Sequence, residues 1–261
     1  MRRGIFLSMI LVSFGIFAGA AQAGPLDKLE KKYRVSALQN GYHKIVTKRK
    51  PYKTGFATPA GKIVLKPRTD IYSQAYPCGK VLTGEPIMGP NDGGGRFREG
   101  VSNAKLLDIR TQQETPIGYN VVGALGSHLD QKSYHKQLLR VYRTKGQVGL
   151  FDACGGGLLT KTEFGRINEF SEQGYAIAFT STELTALNPL GQDVLPTRFK
   201  HNVDISKIDV TPVFGRGATW RVRDNLMFAS RDGAKWGLYN IATQRDHTPF
   251  IYDDIARSDE R

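Results

Sequence analysis

The sequence predicts an all-β protein, an array of β-meander or hairpin repeats with a short N-terminal helical segment, and three observations carry that expectation. A strand-turn-strand pattern recurs five times, starting at Gly55 (GFATPAGKIVLKP), Lys105 (KLLDIRTQQETP), Gly149 (GLFDACGGGLLTK), Thr185 (TALNPLGQDVLPT) and Gly237, at intervals of 50, 44, 36 and 52 residues. The stretches leading into the copies, such as LLRVYRTKGQVGLFD, YAIAFTSTELTALN and LMFASRDGAKWGLYN, are rich in β-branched and aromatic residues interrupted by a polar or Gly turn. Each copy therefore reads as a meander of about three strands. Only PLDKLEKKYRV has a helical period, with Leu26, Leu29 and Tyr33 along one face.

In chain order, residues 1–23 carry Arg2 and Arg3, an apolar run from Ile5 to Phe17 and a small-residue end, Ala21-Gln22-Ala23. That is the pattern of a secretory signal peptide, and cleavage is expected to leave Gly24 as the first residue. The apolar run is shorter than the roughly 20 residues that span a bilayer, so no transmembrane segment is expected in the mature chain. Residues 24–43 form an N-terminal basic segment, 44–255 the β-rich repeat domain and 256–261 a short tail. Export ends either in the periplasm or outside the cell.

Within each copy the turn has its own logic. Counting the starting residue as zero, the third position is Thr58, Asp108, Asp152, Asn188 or Asn240, short polar side chains that bond to the backbone of a turn. Gly61, Gly155 and Gly191 occupy the sixth position, and Thr58-Pro59-Ala60-Gly61 and Asn188-Pro189-Leu190-Gly191 read as type I turns closed by a left-handed Gly. Thr111 and Thr243 stand there in the other two copies and resist positive φ, so those turns must differ. An apolar pair returns after the turn, and Pro67, Pro116, Pro196 and Pro249 end four of the copies.

An aromatic-Gly pair, an apolar strand, an Asp/Asn turn, a second apolar pair and a Pro together resemble the WG repeat family. Lys235 to Ile255 matches best, Thr54 to Pro67 and Gln147 to Lys161 match well, and the copies at Lys105 and Thr185 match weakly; the Trp survives only as Trp236. The resemblance implies an interaction or structural module and brings no catalytic set with it.

Charge is uneven. Residues 28–68 hold twelve Lys or Arg against one acid, Glu30, whereas residues 69–261 hold 23 basic and 22 acidic residues. The densest part, KIVTKRKPYK, contains Lys44, Lys48, Arg49, Lys50 and Lys53. It reads either as an edge strand protected from sticking by charge or as a polyanion-binding footprint. The expected partners are a protein or an anionic envelope polymer or lipid surface; nucleic acid is not among them. Cys78 and Cys154 each precede a Gly in a turn and are expected at exposed tips, which either meet in a disulfide or face opposite sides.

Other chemistry is thin. GPNDGGGRFREG (residues 89–100) lacks the Gly-Lys-Ser/Thr ending of a P-loop and offers two acids, Asp92 and Glu99, too few for a calcium site, so it reads as a flexible insert between two meanders. His43, His128, His135, His201 and His247 have no zinc-like spacing. No Gly-x-Ser-x-Gly elbow is present, and Asp253-Asp254 reads as a solvated turn. Trp220 and Trp236 could stack on sugar rings, but at repeat positions aromatic residues more often fill the core. No catalytic residue, metal or cofactor is expected. The sequence thus points to an exported, non-enzymatic interaction module, with a carbohydrate- or peptide-directed envelope enzyme, its site between repeats, as the alternative, and a purely structural module as a third reading.

Overall fold

The computed structural model describes residues 24–90, 96–122, 137–168, 170–171, 173–202 and 224–253. The signal-like segment, Trp220, His128, His135, Asp254 and the tail lie outside these residues. The described residues open with the expected helix, α1 (Pro25–Lys32), which has Pro at its start, Asp27 in the first turn and Lys31 and Lys32 in the last. These charges complement the helix dipole. Leu29 is buried against Ile45 and Ala57, so α1 covers the outer face of the first sheet.

That sheet runs β1 (Tyr33–Gln39), β2 (Tyr42–Thr47), β3 (Thr54–Ala57) and β4 (Ile63–Arg68), antiparallel and in chain order. Residues 33–43, grouped in the sequence reading with the basic N-terminal segment, are thus part of the sheet. Asn40 and Gly41, both at positive φ (50° and 82°), make the tight β1–β2 hairpin. The second sheet joins two meanders, β5 (Lys80–Pro90), β6 (Arg96–Asp108) and β7 (Glu114–Pro116), then β8 (Asn120–Val122), β9 (Leu138–Tyr142), β10 (Val148–Asp152) and β11 (Gly157–Leu158). The long β6 does the joining: it pairs with β5, with β7 at residues 105–107 and with β8 at Gly100 and Val101. The third sheet is β12 (Arg166–Ile167), β13 (Ala176–Phe179), β14 (Glu183–Leu187) and β15 (Phe199–Lys200), and the fourth is β16 (Leu226–Ser230), β17 (Trp236–Asn240) and β18 (Arg245–Asp246).

The five sequence copies fall on equivalent places. Gly55, Lys105, Gly149, Thr185 and Gly237 lie in β3, β6, β10, β14 and β17, each followed by its turn. The apolar cores alternate with the sheets. Tyr42, Phe56 and Leu65 meet Val81 and Leu107 between the first and second sheets; Val148 and Leu150 meet Ile167 and Ala178 between the second and third; Phe179 and Leu184 meet Met227 and Trp236 between the third and fourth. A further core, with Leu82, Val101, Val141 and Phe151, lies between the two meanders of the second sheet. Each sheet therefore buries its faces on its neighbours in the chain, as stacked repeats do.

The turns divide into two classes. Gly61 and Gly191 take φ of 77° and 75° as predicted, and their N–H groups donate to the carbonyls of Thr58 and Asn188 at 2.9 Å. In the remaining three copies the left-handed residue falls one place later, at Gln112, Gly156 and Gln244 (φ 60°, 75° and 54°). The cause is the fourth position. Pro59 and Pro189 have no N–H to donate, whereas Ile109, Ala153 and Ile241 are buried and donate theirs to Gly79, Gln137 and Asn225 (3.0, 2.9 and 2.9 Å), extending the ladder by one residue before the chain turns. In every copy the third-position oxygen caps the turn, for example Asp108 Oδ1 accepting the N–H groups of Arg110 and Thr111 at 2.8 and 2.9 Å. These bonds, that of Thr111 first, hold the Asp108 carboxyl below its ordinary pKa.

Two expectations are corrected. Residues 89–90 and 96–100 belong to β5 and β6, which pair within one meander, and not to an insert between meanders; residues 91–95 lie outside the described set. Cys78 and Cys154 are half-buried against the core of Leu82, Val101 and Phe151 and are not exposed tips.

Candidate functional site

The basic stretch folds into the turn between β2 and β3, at one end of the first sheet. Its frame is Thr47. The Thr47 N–H donates to Lys53 O at 3.0 Å, its hydroxyl oxygen accepts the Lys53 N–H at 2.9 Å, and the hydroxyl points its proton at the carbonyls of Pro51 (3.2 Å) and Arg49 (3.3 Å). Residues 48–53 are thereby closed into a defined loop, with the Lys50–Pro51 peptide cis. Lys48, Arg49, Lys50 and Lys53 are all exposed around it, while Lys44 sits back in β2, half-buried. The structure thus brings four of the five expected residues onto one turn.

Charge protection of an edge does not account for this placement. β2 is paired on both sides, by β1 and β3, and β3 by β2 and β4; the sheet edges are β1 and β4. The cations project from a turn between two interior strands. Two neighbours were not legible in the sequence because they come from elsewhere in the chain. Lys48 Nζ donates to Lys31 O at 3.3 Å, which brings the basic last turn of α1 beside the loop, and the Arg34 guanidinium lies 4.8 Å over the Tyr52 ring. The basic end of an amphipathic helix was the available signal for the first.

Five cations elsewhere have carboxylate partners among the described residues. Arg68 contacts Asp70 (2.6 Å) and Glu114 (2.8 Å), Lys105 contacts Glu114 (2.9 Å), Arg198 contacts Glu163 and Asp193, Arg231 contacts Asp246 and Lys235 contacts Asp253. Among the described residues no ion pair involves Lys48, Arg49, Lys50 or Lys53. Four mutually repelling charges are therefore held together without internal compensation, and an external anion is what such a loop can bind.

No protein-family model matches the chain. No curated protein matches it either. Among solved structures it is similar to the computationally designed Ika8 protein (14% identity, TM-score 0.34, covering 86% of this chain and 65% of that one). It is also similar to BamB from Moraxella catarrhalis (15% identity, TM-score 0.34, 82% and 62%) and to the WD40 β-propeller domain of Doa1 (11% identity, TM-score 0.27, 87% and 67%). The chain thus spans less than two thirds of the first two structures.

The remaining candidates have structural surroundings. Cys78 and Cys154 form a disulfide, Cα–Cα 5.6 Å, which ties the turn ahead of β5 to the turn after β10. His43 Nδ1 lies 2.9 Å from Ser36 O and His201 Nε2 lies 3.1 Å from Thr180 O, both rings buried. Trp236 is buried in the core between the third and fourth sheets. Among the described residues no three His, Cys, Asp or Glu side chains gather where they could hold a metal ion, and no helix is long and apolar enough to cross a membrane.

Proposed function

We propose that the protein is an exported, non-enzymatic WG-repeat-like interaction module whose basic N-terminal region attaches to anionic envelope material or to an acidic partner. The observation that carries this reading is the β2–β3 turn, where Lys48, Arg49, Lys50 and Lys53 stand exposed, with no carboxylate partner among the described residues, on a loop fixed by Thr47. Export is supported by the signal-like residues 1–23 and by the disulfide, since such bonds persist in oxidising compartments.

Heparin serves as a stand-in polyanion for the test. Binding is expected to weaken as salt rises, because exposed charges are screened over about 8 to 10 Å near physiological ionic strength. Changing Lys48, Arg49 and Lys50 together to Gln should remove most of the affinity. The same change at Lys161, Lys200 and Arg245, exposed residues after the basic segment, should leave it nearly intact. Equal retention of the parent and the first triple variant at low salt sinks the reading.

A further inference from the structure

We infer that the end of the molecule formed by the β2–β3 turn and the last turn of α1 seats on an anionic phospholipid bilayer, with the Tyr52 ring as its interfacial anchor. The inference rests on the polyanion reading above and narrows it to one kind of surface.

The order of residues on the loop carries the choice. Lys48, Arg49 and Lys50 precede an exposed pair, Pro51 and Tyr52, and Lys53 follows, so an apolar centre is flanked by cations on both sides. Tyr52 is 51% exposed, one of seven exposed large apolar side chains among the described residues. A dissolved polyanion can neutralise the lysines but gives the ring nothing to enter. A bilayer offers both layers at once, phosphates for the cations and, just beneath, the headgroup boundary where amphipathic aromatic rings partition. Lys and Arg stems add to this, because they can lie along apolar surface while their heads stay with the phosphates.

The loop is also prepared for such contact. The Thr47 hydroxyl fixes its backbone, and the Arg34 guanidinium, 4.8 Å from the ring centroid, holds one face of Tyr52. Ordering costs on binding are correspondingly small. The loop is the connection of a β hairpin, and a protruding turn presents its tip to a plane more readily than it encloses a chain. Lys31 and Lys32 in the last turn of α1 widen the cationic footprint, with Lys48 bonded to the Lys31 carbonyl between them.

The test compares protein recovered in the form its host exports, and variants differing only in the loop, so that contributions from the rest of the chain cancel. Co-sedimentation is measured with phosphatidylcholine vesicles, with and without phosphatidylglycerol, and in parallel with heparin beads. Binding is expected only to the phosphatidylglycerol vesicles. The Lys48→Gln, Arg49→Gln, Lys50→Gln variant should lose roughly 100-fold of it, about one kcal/mol for each cation near an anionic surface. Tyr52→Ser should lose roughly fivefold on vesicles, from the ring area no longer buried, and should bind heparin as the parent does. A Tyr52→Trp variant should show a blue shift in emission, relative to the parent, with phosphatidylglycerol vesicles and not with heparin. Vesicle binding unchanged by Tyr52→Ser, with no shift for Tyr52→Trp, overturns the bilayer assignment while heparin binding still upholds the polyanion reading. Loss of binding to both probes in the parent protein overturns both.

Discussion

At the scale of single residues, the fourth position of each copy decides how the chain turns. Pro59 and Pro189 go with a left-handed Gly two residues on, and buried Ile109, Ala153 and Ile241 with a left-handed residue three on. Gly191 illustrates the cost of breaking the rule. It sits at φ 75°, and a Cβ there would lie 2.8 Å from both the Cβ and the carbonyl oxygen of Leu159 in the neighbouring meander. Gly191→Val is therefore expected to lower stability by about 1 to 3 kcal/mol or more, whereas Thr243→Val, at a position outside the left-handed region, should move the urea midpoint little. The need for Gly at positions 61 and 191 was legible, because Pro-x-Gly spells a type I turn. The offset in the other copies was not, because Gln112 and Gln244 carry no conventional mark of positive φ. Their side chains supply a reason to be Gln: Gln112 Nε2 donates to Val64 O at 3.4 Å and Gln244 Nε2 to Val194 O at 3.3 Å, each reaching back to the preceding meander.

At the scale of strands and sheets, the glycine that opens three of the copies is explained by a close crossing. A Cβ on Gly55 would lie 2.5 Å from Leu65 O, and one on Gly237 2.8 Å from Pro249 O, so the strand must be bare where the returning segment passes over it. The recurrence of Gly and Pro in sequence thus records one contact. One turn read in the sequence closes a hairpin that was not counted among the copies. Tyr76-Pro77-Cys78-Gly79 has the short-turn geometry, with Gly79 at φ 75° donating to Tyr76 O at 2.9 Å, and Gly79-Lys80-Val81-Leu82 echoes Gly61-Lys62-Ile63-Val64. The sequence marked it as a turn but not as a copy, because only 18 residues separate the two turns, too few for a whole repeat. Between the first two sheets, Glu114 of β7 is held by Lys105 of β6 and Arg68 of β4, and these cations, Lys105 foremost, depress its pKa. A depressed carboxylate adds stability above its ordinary range and loses it as pH falls through the folded-state value. Glu114→Gln should accordingly be less stable than the parent at neutral pH, and the gap should close as both are acidified below the usual carboxylate range, as followed by thermal melts.

At the scale of the whole molecule, the chain is a row of sheets in which each core is shared by neighbours, and the charge excess is concentrated at its N-terminal end. The all-β class and the repeats were legible because turn residues and alternating apolar residues are local signals. The meeting of Lys31, Arg34 and Tyr52 with Lys48 was not, since it depends on how α1 packs. Nor was the union of Cys78 with Cys154, which depends on β6 drawing two meanders into one sheet. The disulfide spans 76 positions of the chain, and a closure of that length is worth about 4 kcal/mol in the chain-entropy account. Reduction, or Cys78→Ala with Cys154→Ala, is expected to lower the unfolding free energy by about 2 to 5 kcal/mol, measured by urea titration, and thiol labelling of the unreduced, denatured protein should find no free thiol. The same bond governs how the molecule would respond to tension. Pulled from its two ends, the oxidised chain transmits force across the Cys78–Cys154 link, so both meanders of the second sheet between these residues hang off the loaded path. Roughly 260 Å of contour, at about 3.4 Å per residue, stays hidden until the link is reduced.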